Sequence, residues 1–142
     1  MTNKDYSVVF ESSKPPAYIF ETLLNARKWW TGLYKEEING SGMKLNEEFT
    51  FRAGGGAHYT EQRLIELIPN KKICWLVTKS NLSFLKKPNE WTGTKISFEI
   101  LTKGDKSKVA FTHSGLDPKL ECYNGCATAW TKYLENLSEK LK

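Results

Sequence analysis

The sequence predicts an α+β domain: a curved antiparallel sheet of about six to seven strands around a long C-terminal helix, with a short helix after the first strand. Three observations carry this. Short stretches alternating apolar and polar residues recur along most of the chain, separated by turn residues. After the first helix no helical pattern falls between them, which argues against a parallel doubly wound sheet. The chain then closes on an amphipathic stretch whose apolar stripe needs a large surface to lie against.

Tyr6 to Ser12 is the first strand, with Tyr6, Val8 and Phe10 alternating against Ser7, Val9 and Glu11. Pro15-Pro16 ends it and opens a helix over about Pro16 to Asn25, with Ser13 the better capping residue and Tyr18, Ile19, Phe20, Leu23 and Leu24 at helical spacing. Trp29 and Trp30 follow. Adjacent residues cannot both face one side of a regular element, so one is expected inward and the other at an edge or a cavity mouth. Leu33 to Ile38 is a weak strand, and Glu47 to Ala53 a clear one with Phe49 and Phe51 on one face. Gly54-Gly55-Gly56 reads as a hairpin tip. A phosphate-binding loop would lead into a helix and carry Lys or further Gly at fixed spacing, which this one does not.

His58 to Ile68 is a long strand, and Pro69 to Lys72 turns it. In the next strand Ile73, Trp75 and Val77 alternate with Cys74, Leu76 and Thr78, so part of it is apolar on both faces. Asn81 to Trp91 is irregular yet holds Leu82, Phe84, Leu85, Pro88 and Trp91. Surface loops of that composition form lids, interfaces or partner patches. Thr94 to Thr102 puts Ile96, Phe98 and Ile100 on one face; Lys108 to His113 does the same with Val109, Phe111 and His113. Gly115 breaks that strand. Asp117 is placed as a helix N-cap, Pro118 at the first helical position and Glu121 near the positive helix end. Tyr123, Ala127, Trp130, Leu134, Leu137 and Leu141 then form one stripe. The helix runs roughly 35 Å at 1.5 Å per residue.

One domain, residues 1–142, is the natural reading of this length, with no internal repeat or linker. Five Trp, six Tyr and seven Phe imply either a ring-rich core or a ring-lined cavity. The net charge of +5 is carried by scattered lysines without a basic stripe, so nucleic-acid binding is not expected. Three cysteines without a secretory signal point to reduced thiols in the cytoplasm. The longest apolar runs fall far short of a membrane span.

Trp29-Trp30, the run Trp91-Thr92-Gly93-Thr94-Lys95-Ile96-Ser97-Phe98-Glu99 and the run Phe111-Thr112-His113-Ser114-Gly115-Leu116 carry a resemblance. So do Glu121-Cys122-Tyr123, Cys126, Trp130 and Tyr133-Leu134. With the element order they resemble the helix-grip fold of the START-like (SRPBCC) superfamily, which includes the birch-pollen-allergen family. Within it they resemble homologues of the activator of the heat-shock-protein-90 ATPase. The likeness runs from about Tyr6 to Leu141 and is specific for the family rather than for an activity. It implies a cavity between sheet and helix. The co-chaperone that gives the family its name also depends on a second domain, for which 142 residues leave no room.

The cavity candidates are Trp30, Phe51, Tyr59, Trp75, Trp91, Phe98, Phe111, His113, Tyr123 and Trp130. On strand parity His113 shares the inward face with Phe111. It either meets a ligand or is a core histidine satisfied by hydrogen bonds. His58, beside the glycine tip, is expected at the surface. Cys122 and Cys126 lie four apart on one helix; a zinc site would need Cys74 and His113 to complete it in space, and small apolar packing is the commoner outcome. Neither a Ser-His-Asp order nor an H-E-x-x-H motif occurs. No catalytic residue, metal or cofactor is therefore assigned. The expected function is binding of a small hydrophobic, aromatic or lipid-like ligand. The alternatives are a co-chaperone-like protein-interaction domain working through Asn81 to Trp91, with a chaperone as partner, and a small START-like hydrolase or cyclase.

Overall fold

The computed structural model describes residues 5–117, 120–121 and 123–142. Strand β1 (Tyr6–Ser12) leads to helix α1 (Pro16–Leu24); strands β2 (Glu37–Gly40), β3 (Glu48–Ala53), β4 (His58–Ile68), β5 (Lys72–Leu82), β6 (Lys95–Lys103) and β7 (Lys106–Ser114) follow, and helix α2 (Tyr123–Lys140) closes the chain. The seven strands form one antiparallel sheet in the order β1-β7-β6-β5-β4-β3-β2. Every neighbouring pair from β2 to β7 is consecutive in sequence. Only β1 crosses to the far edge, where Tyr6 pairs with His113 and Ser12 with Ser107.

The alternation that predicted the strands sets the sheet's two faces. In β7, Ser107, Val109, Phe111 and His113 are buried and their neighbours are not. In β6 Ile96, Phe98 and Ile100 do the same, and Phe98 sits opposite Phe111. In β5 Ile73, Cys74 and Trp75 are buried in succession, so both faces of this central strand are covered there. The β4–β5 ladder shifts register at Glu61/Gln62 and at Leu64/Glu66. Bulges of this kind raise the local twist and help a sheet curl. The β4–β5 turn puts Asn70 at φ 62°, a left-handed position that Asn tolerates. At the β3–β4 hairpin Gly54, Gly55 and Gly56 take φ of 62°, 71° and 97°, which residues with a Cβ rarely adopt.

Three local expectations are corrected. Helix α1 is capped by Pro15 in extended conformation with no side-chain cap, not by Ser13. Among the described residues α2 begins at Tyr123 rather than at Pro118, which lies outside them. Its 18 residues span about 27 Å. Ahead of it, Leu120 N–H bonds to Asp117 O at 2.9 Å and Tyr123 N–H to Leu120 O at 3.1 Å. Finally, Trp29 and Trp30 are both buried and stack at 5.5 Å with an interplanar angle of 4°. Parity fails because they follow a 3-10 turn (Ala26–Lys28), where Trp29 adopts φ −134° and ψ −28° and neither strand nor helix periodicity applies.

The concave face of the sheet meets α2 through Cys126, Trp130, Tyr133, Leu134 and Leu137. Tyr123 and Ala127, expected on the stripe, are only half-buried. Trp130 is the centre. Its ring lies 4.6 Å from Phe111, 4.9 Å from Trp30 and 6.0 Å from Trp91. Each large apolar side chain so buried contributes roughly 1.5–3 kcal/mol. Among the described residues no helix is long and apolar enough to cross a membrane.

Candidate functional site

Packing around Trp130 is not complete. A cavity of about 250 Å³ remains at one end of the sheet–helix sandwich. Its floor is Trp30, Phe51, Trp91 and Trp130; Ala53, Gly54, Ala57 and His58 come from the β3–β4 hairpin; Gly125, Cys126, Ala129 and Tyr133 form the α2 wall. Tyr34 and Phe84 complete the lining, and at 44% and 58% exposed they mark its mouth. Small residues make the space. Gly125 and Ala129 thin the helix wall one turn apart, and Ala53, Gly54 and Ala57 thin the hairpin.

Of the ten cavity candidates, Trp30, Phe51, Trp91 and Trp130 line this space and the other six do not. Trp75 is core: its Nε1 donates to Gly42 O at 3.0 Å and its ring packs edge-on against Phe49. Phe98 and Phe111 pack on each other at 5.1 Å, with Phe98 also against Trp29, so α1 and the tryptophan turn cover that end of the sheet. Tyr59 projects from the convex face, where its hydroxyl donates to Glu61 Oε2 at 2.7 Å; it has the parity of Glu61, opposite to buried Thr60. Tyr123 is half-buried against the core at the start of α2.

His113 is fully buried and both ring nitrogens are used. Trp130 Nε1 donates to Nδ1 at 3.0 Å. An indole nitrogen only donates, so Nδ1 is the acceptor and Nε2 carries the proton. Nε2 therefore donates to Thr94 Oγ1 at 2.9 Å, and Thr94 Oγ1 donates to Trp91 O at 2.6 Å. Burial pushes the His113 pKa down to about 3, with His58 a smaller contributor, so the ring is neutral as this chain of donors requires. It is the satisfied core histidine, and it holds Trp130 and the Trp91 backbone in place.

His58 is the residue that sequence reasoning missed. It was expected at the surface, yet it lines the cavity, with its ring 4.7 Å from Trp91 and 5.5 Å from Phe51, edge-on to both. Burial pushes its pKa down to about 4. Its Nδ1 is out of contact with solvent and has no hydrogen-bond partner; neither has Trp91 Nε1. Strand alternation gave little warning, because the inward positions that follow His58 at its own parity, Thr60 and Gln62, are polar. The signals available were the parity it shares with Leu64 and its pairing partner Ala53, an inward residue of β3.

Near the mouth, the Glu36 carboxylate gathers the loop before β2. It accepts from the backbone N–H of Gly32 at 2.8 Å and of Tyr34 at 2.9 Å, from Leu33 N–H, and from the Tyr133 hydroxyl of α2. Burial works against the charge, but the Tyr133 hydroxyl and the loop N–H groups outweigh it and hold the carboxyl below its usual range. Burial, then the bond to Glu36, pushes the Tyr133 hydroxyl up. On the other side, Lys86 N–H donates to Glu121 Oε1 at 2.9 Å and Glu121 N–H to Glu90 Oε2 at 3.2 Å, tying the Phe84 loop to the approach of α2.

Cys74 is a buried free thiol. Cys126 is disulfide-bonded, against the expectation of reduced thiols throughout. An odd count of three still leaves room for one pair. Cys122 lies outside the described residues. Among the described residues no group of three or more His, Cys, Asp or Glu is placed to hold a metal.

The family described as Activator of Hsp90 ATPase homolog 1-like protein matches residues 6–142. Among solved structures the chain is similar to the Aha1 dimer of Colwellia psychrerythraea, at 28% identity over 96% of this chain and 95% of that one, with a TM-score of 0.75. It is similar in fold to a protein of Chromobacterium violaceum, at 14% identity, TM-score 0.73 and coverage of 97% and 96%. A protein of Mesorhizobium loti is also similar in fold, at 20% identity, TM-score 0.66 and coverage of 94% and 95%. No curated protein matches the chain.

Proposed function

The chain belongs to the family of Activator of Hsp90 ATPase homolog 1-like proteins, and from that premise we propose that it is a binding module, without chemistry of its own, for a small apolar or aromatic ligand held between sheet and α2. In general terms the family supports a ligand-binding or co-chaperone-like domain. One observation favours the ligand: the 250 Å³ space walled by Trp30, Phe51, Trp91 and Trp130 at a point where the surrounding core is densely packed. Protein interiors leave few such voids, and a lining of rings with few polar groups is the usual character of a small-molecule site. A cavity of about 150 Å³ takes one benzene ring. This one suits a fused pair of rings or a single substituted one.

The test fills the space. Ala129 lines the cavity from within α2, where a larger side chain would project into the space. Ala129→Phe is expected to abolish the rise in melting temperature that bicyclic aromatic compounds give the wild type, while the variant keeps a cooperative thermal transition. A wild type that no member of a broad aromatic and lipid-like library stabilises overturns the reading. The 58% exposure of Phe84 beside Lys86 and Lys87 favours a second reading, docking of a protein partner such as a chaperone on the loop at the mouth. Phe84→Ser with both lysines reversed in charge removes that surface, and partner capture that survives it overturns the docking.

A further inference from the structure

The cavity holds two polar atoms that the protein leaves unused. Of the four other buried indoles three find acceptors within the chain: Trp29 Nε1 donates to Leu23 O, Trp75 Nε1 to Gly42 O and Trp130 Nε1 to His113 Nδ1; the fourth, Trp30, is not among those whose nitrogen is sealed from solvent without a partner. Trp91, 2% exposed, finds no acceptor, although its backbone carbonyl is fixed by Thr94. His58 Nδ1 is equally unpartnered. Both residues line the same cavity and their rings meet edge-to-face at 4.7 Å. A buried polar group without a partner is destabilising, and two in one cavity wall point to a ligand that supplies what the chain does not.

The chemistry of the two atoms restricts that ligand. Trp91 Nε1 only donates, so it requires an acceptor. A neutral His58 offers at Nδ1 either a lone pair or a proton, according to tautomer. A hydroxyl oxygen accepts from an indole and serves either tautomer of His58; a bare hydrocarbon serves neither atom. Among the described residues no Lys or Arg lines the cavity. A carboxylate would therefore enter without a countercharge, at large desolvation cost.

We propose that the cavity selects a neutral hydroxylated aromatic of about two fused rings, its hydroxyl held by Trp91 Nε1 and His58 Nδ1. This deepens, and rests on, the reading of the cavity as a binding site. The rings occupy the apolar space between Phe51, Trp30 and Trp130, and the hydroxyl lies at the His58–Trp91 corner.

The probes are naphthalene, 2-naphthol and 2-naphthoate, titrated calorimetrically into the wild type at pH 7.5. Expected is binding of 2-naphthol about tenfold tighter than naphthalene, the gain of one or two satisfied hydrogen bonds, with 2-naphthoate weakest. In Trp91→Phe and in His58→Phe, each first shown to melt cooperatively, the naphthol-to-naphthalene ratio is expected to fall to within about threefold. Equal affinities for naphthol and naphthalene in the wild type overturn the hydroxyl assignment and leave the cavity reading standing. Naphthoate binding tightest overturns neutrality. A tenfold ratio that survives both substitutions places the hydroxyl elsewhere and overturns the assignment to this pair. No binding by any of the three overturns this proposal together with the cavity reading beneath it. The wild-type series decides even if a variant fails to fold.

Discussion

An imidazole in the middle of a protein core is tolerated when both of its nitrogens are occupied, and His113 meets that condition through two different elements. Trp130 Nε1 from α2 donates to one nitrogen and Thr94 Oγ1, just before β6, accepts from the other. Removing the ring leaves Trp130 N–H and the Thr94 acceptor position buried without partners, each at about 1–3 kcal/mol. His113→Phe is therefore expected to lower stability by about 2–4 kcal/mol in urea unfolding. Because Trp130→Phe removes the same hydrogen bond, the double variant should lose at least ~1 kcal/mol less than the sum of the singles. Strict additivity would mean that the His113–Trp130 bond contributes nothing. Strand parity was enough to turn His113 inward and to leave open whether it met a ligand or a protein partner. Which partner it met was not legible, because Trp130 arrives from a helix whose rotation about its axis is set only by packing. His58 shows the converse. Two residues past three glycines, and followed inward by polar Thr60 and Gln62, it carried no apolar neighbour of its own parity to mark its facing.

At the scale of elements, the loop before β2 behaves as a strap over the cavity mouth. Lys35 adopts φ 53° within it, and the Glu36 side chain folds back to accept from the N–H groups of Gly32, Leu33 and Tyr34 before reaching Tyr133 on α2. One carboxylate thus orders three residues and moors them to a helix 97 positions away in sequence. Glu36→Ala should leave the sheet intact and release the strap. Amide hydrogen exchange at Gly32, Leu33 and Tyr34 is expected to speed up by at least about tenfold, with β5 and β6 unchanged. Exchange unaltered at those three amides would show that packing of Tyr34 on Tyr133 alone holds the strap. Nothing in the run Thr31 to Glu36 predicted this. Leu33 to Ile38 reads as a weak strand, because a carboxylate reaching its own loop amides has no periodicity to betray it. The two edges of α2 divide in the same way. Its apolar stripe through Trp130, Leu134 and Leu137 was plain, whereas its start at Tyr123 was marked in the sequence by no capping residue of its own.

Over the whole molecule, alternation and turn residues sufficed to place seven strands and the closing helix, since each strand must bury one face and only one curved sheet lets all of them do so against α2. The void at one end was beyond such reasoning. It is a difference between the volumes of facing side chains, decided by Gly125 and Ala129 on one wall and Ala53 and Ala57 on the other. That sandwich also holds both of the chain's two histidines, and this gives the protein a pH dependence with a defined sign. Unfolded, each histidine titrates near its ordinary value of 6.5; folded, His58 titrates at about 4 and His113 at about 3. Between pH 6.5 and the folded values the unfolded chain binds protons that the folded chain does not. Stability is therefore full above pH 6.5 and falls as the pH drops, by at most about 1.4 kcal/mol per pH unit for each histidine. Glu36 acts in the same direction, but only below its ordinary value of 4.5. The interval from pH 6.5 to 4.5 thus belongs to the histidines. Urea midpoints measured from pH 7.5 to 4.5 should hold level above 6.5 and then decline with a slope approaching two protons taken up on unfolding. In His58→Phe the slope should halve, to the single proton of His113. A midpoint that stays flat down to pH 4.5 would mean that both rings already carry a proton in the folded state, and the donor chain from Trp130 through His113 to Thr94 would then have to be redrawn.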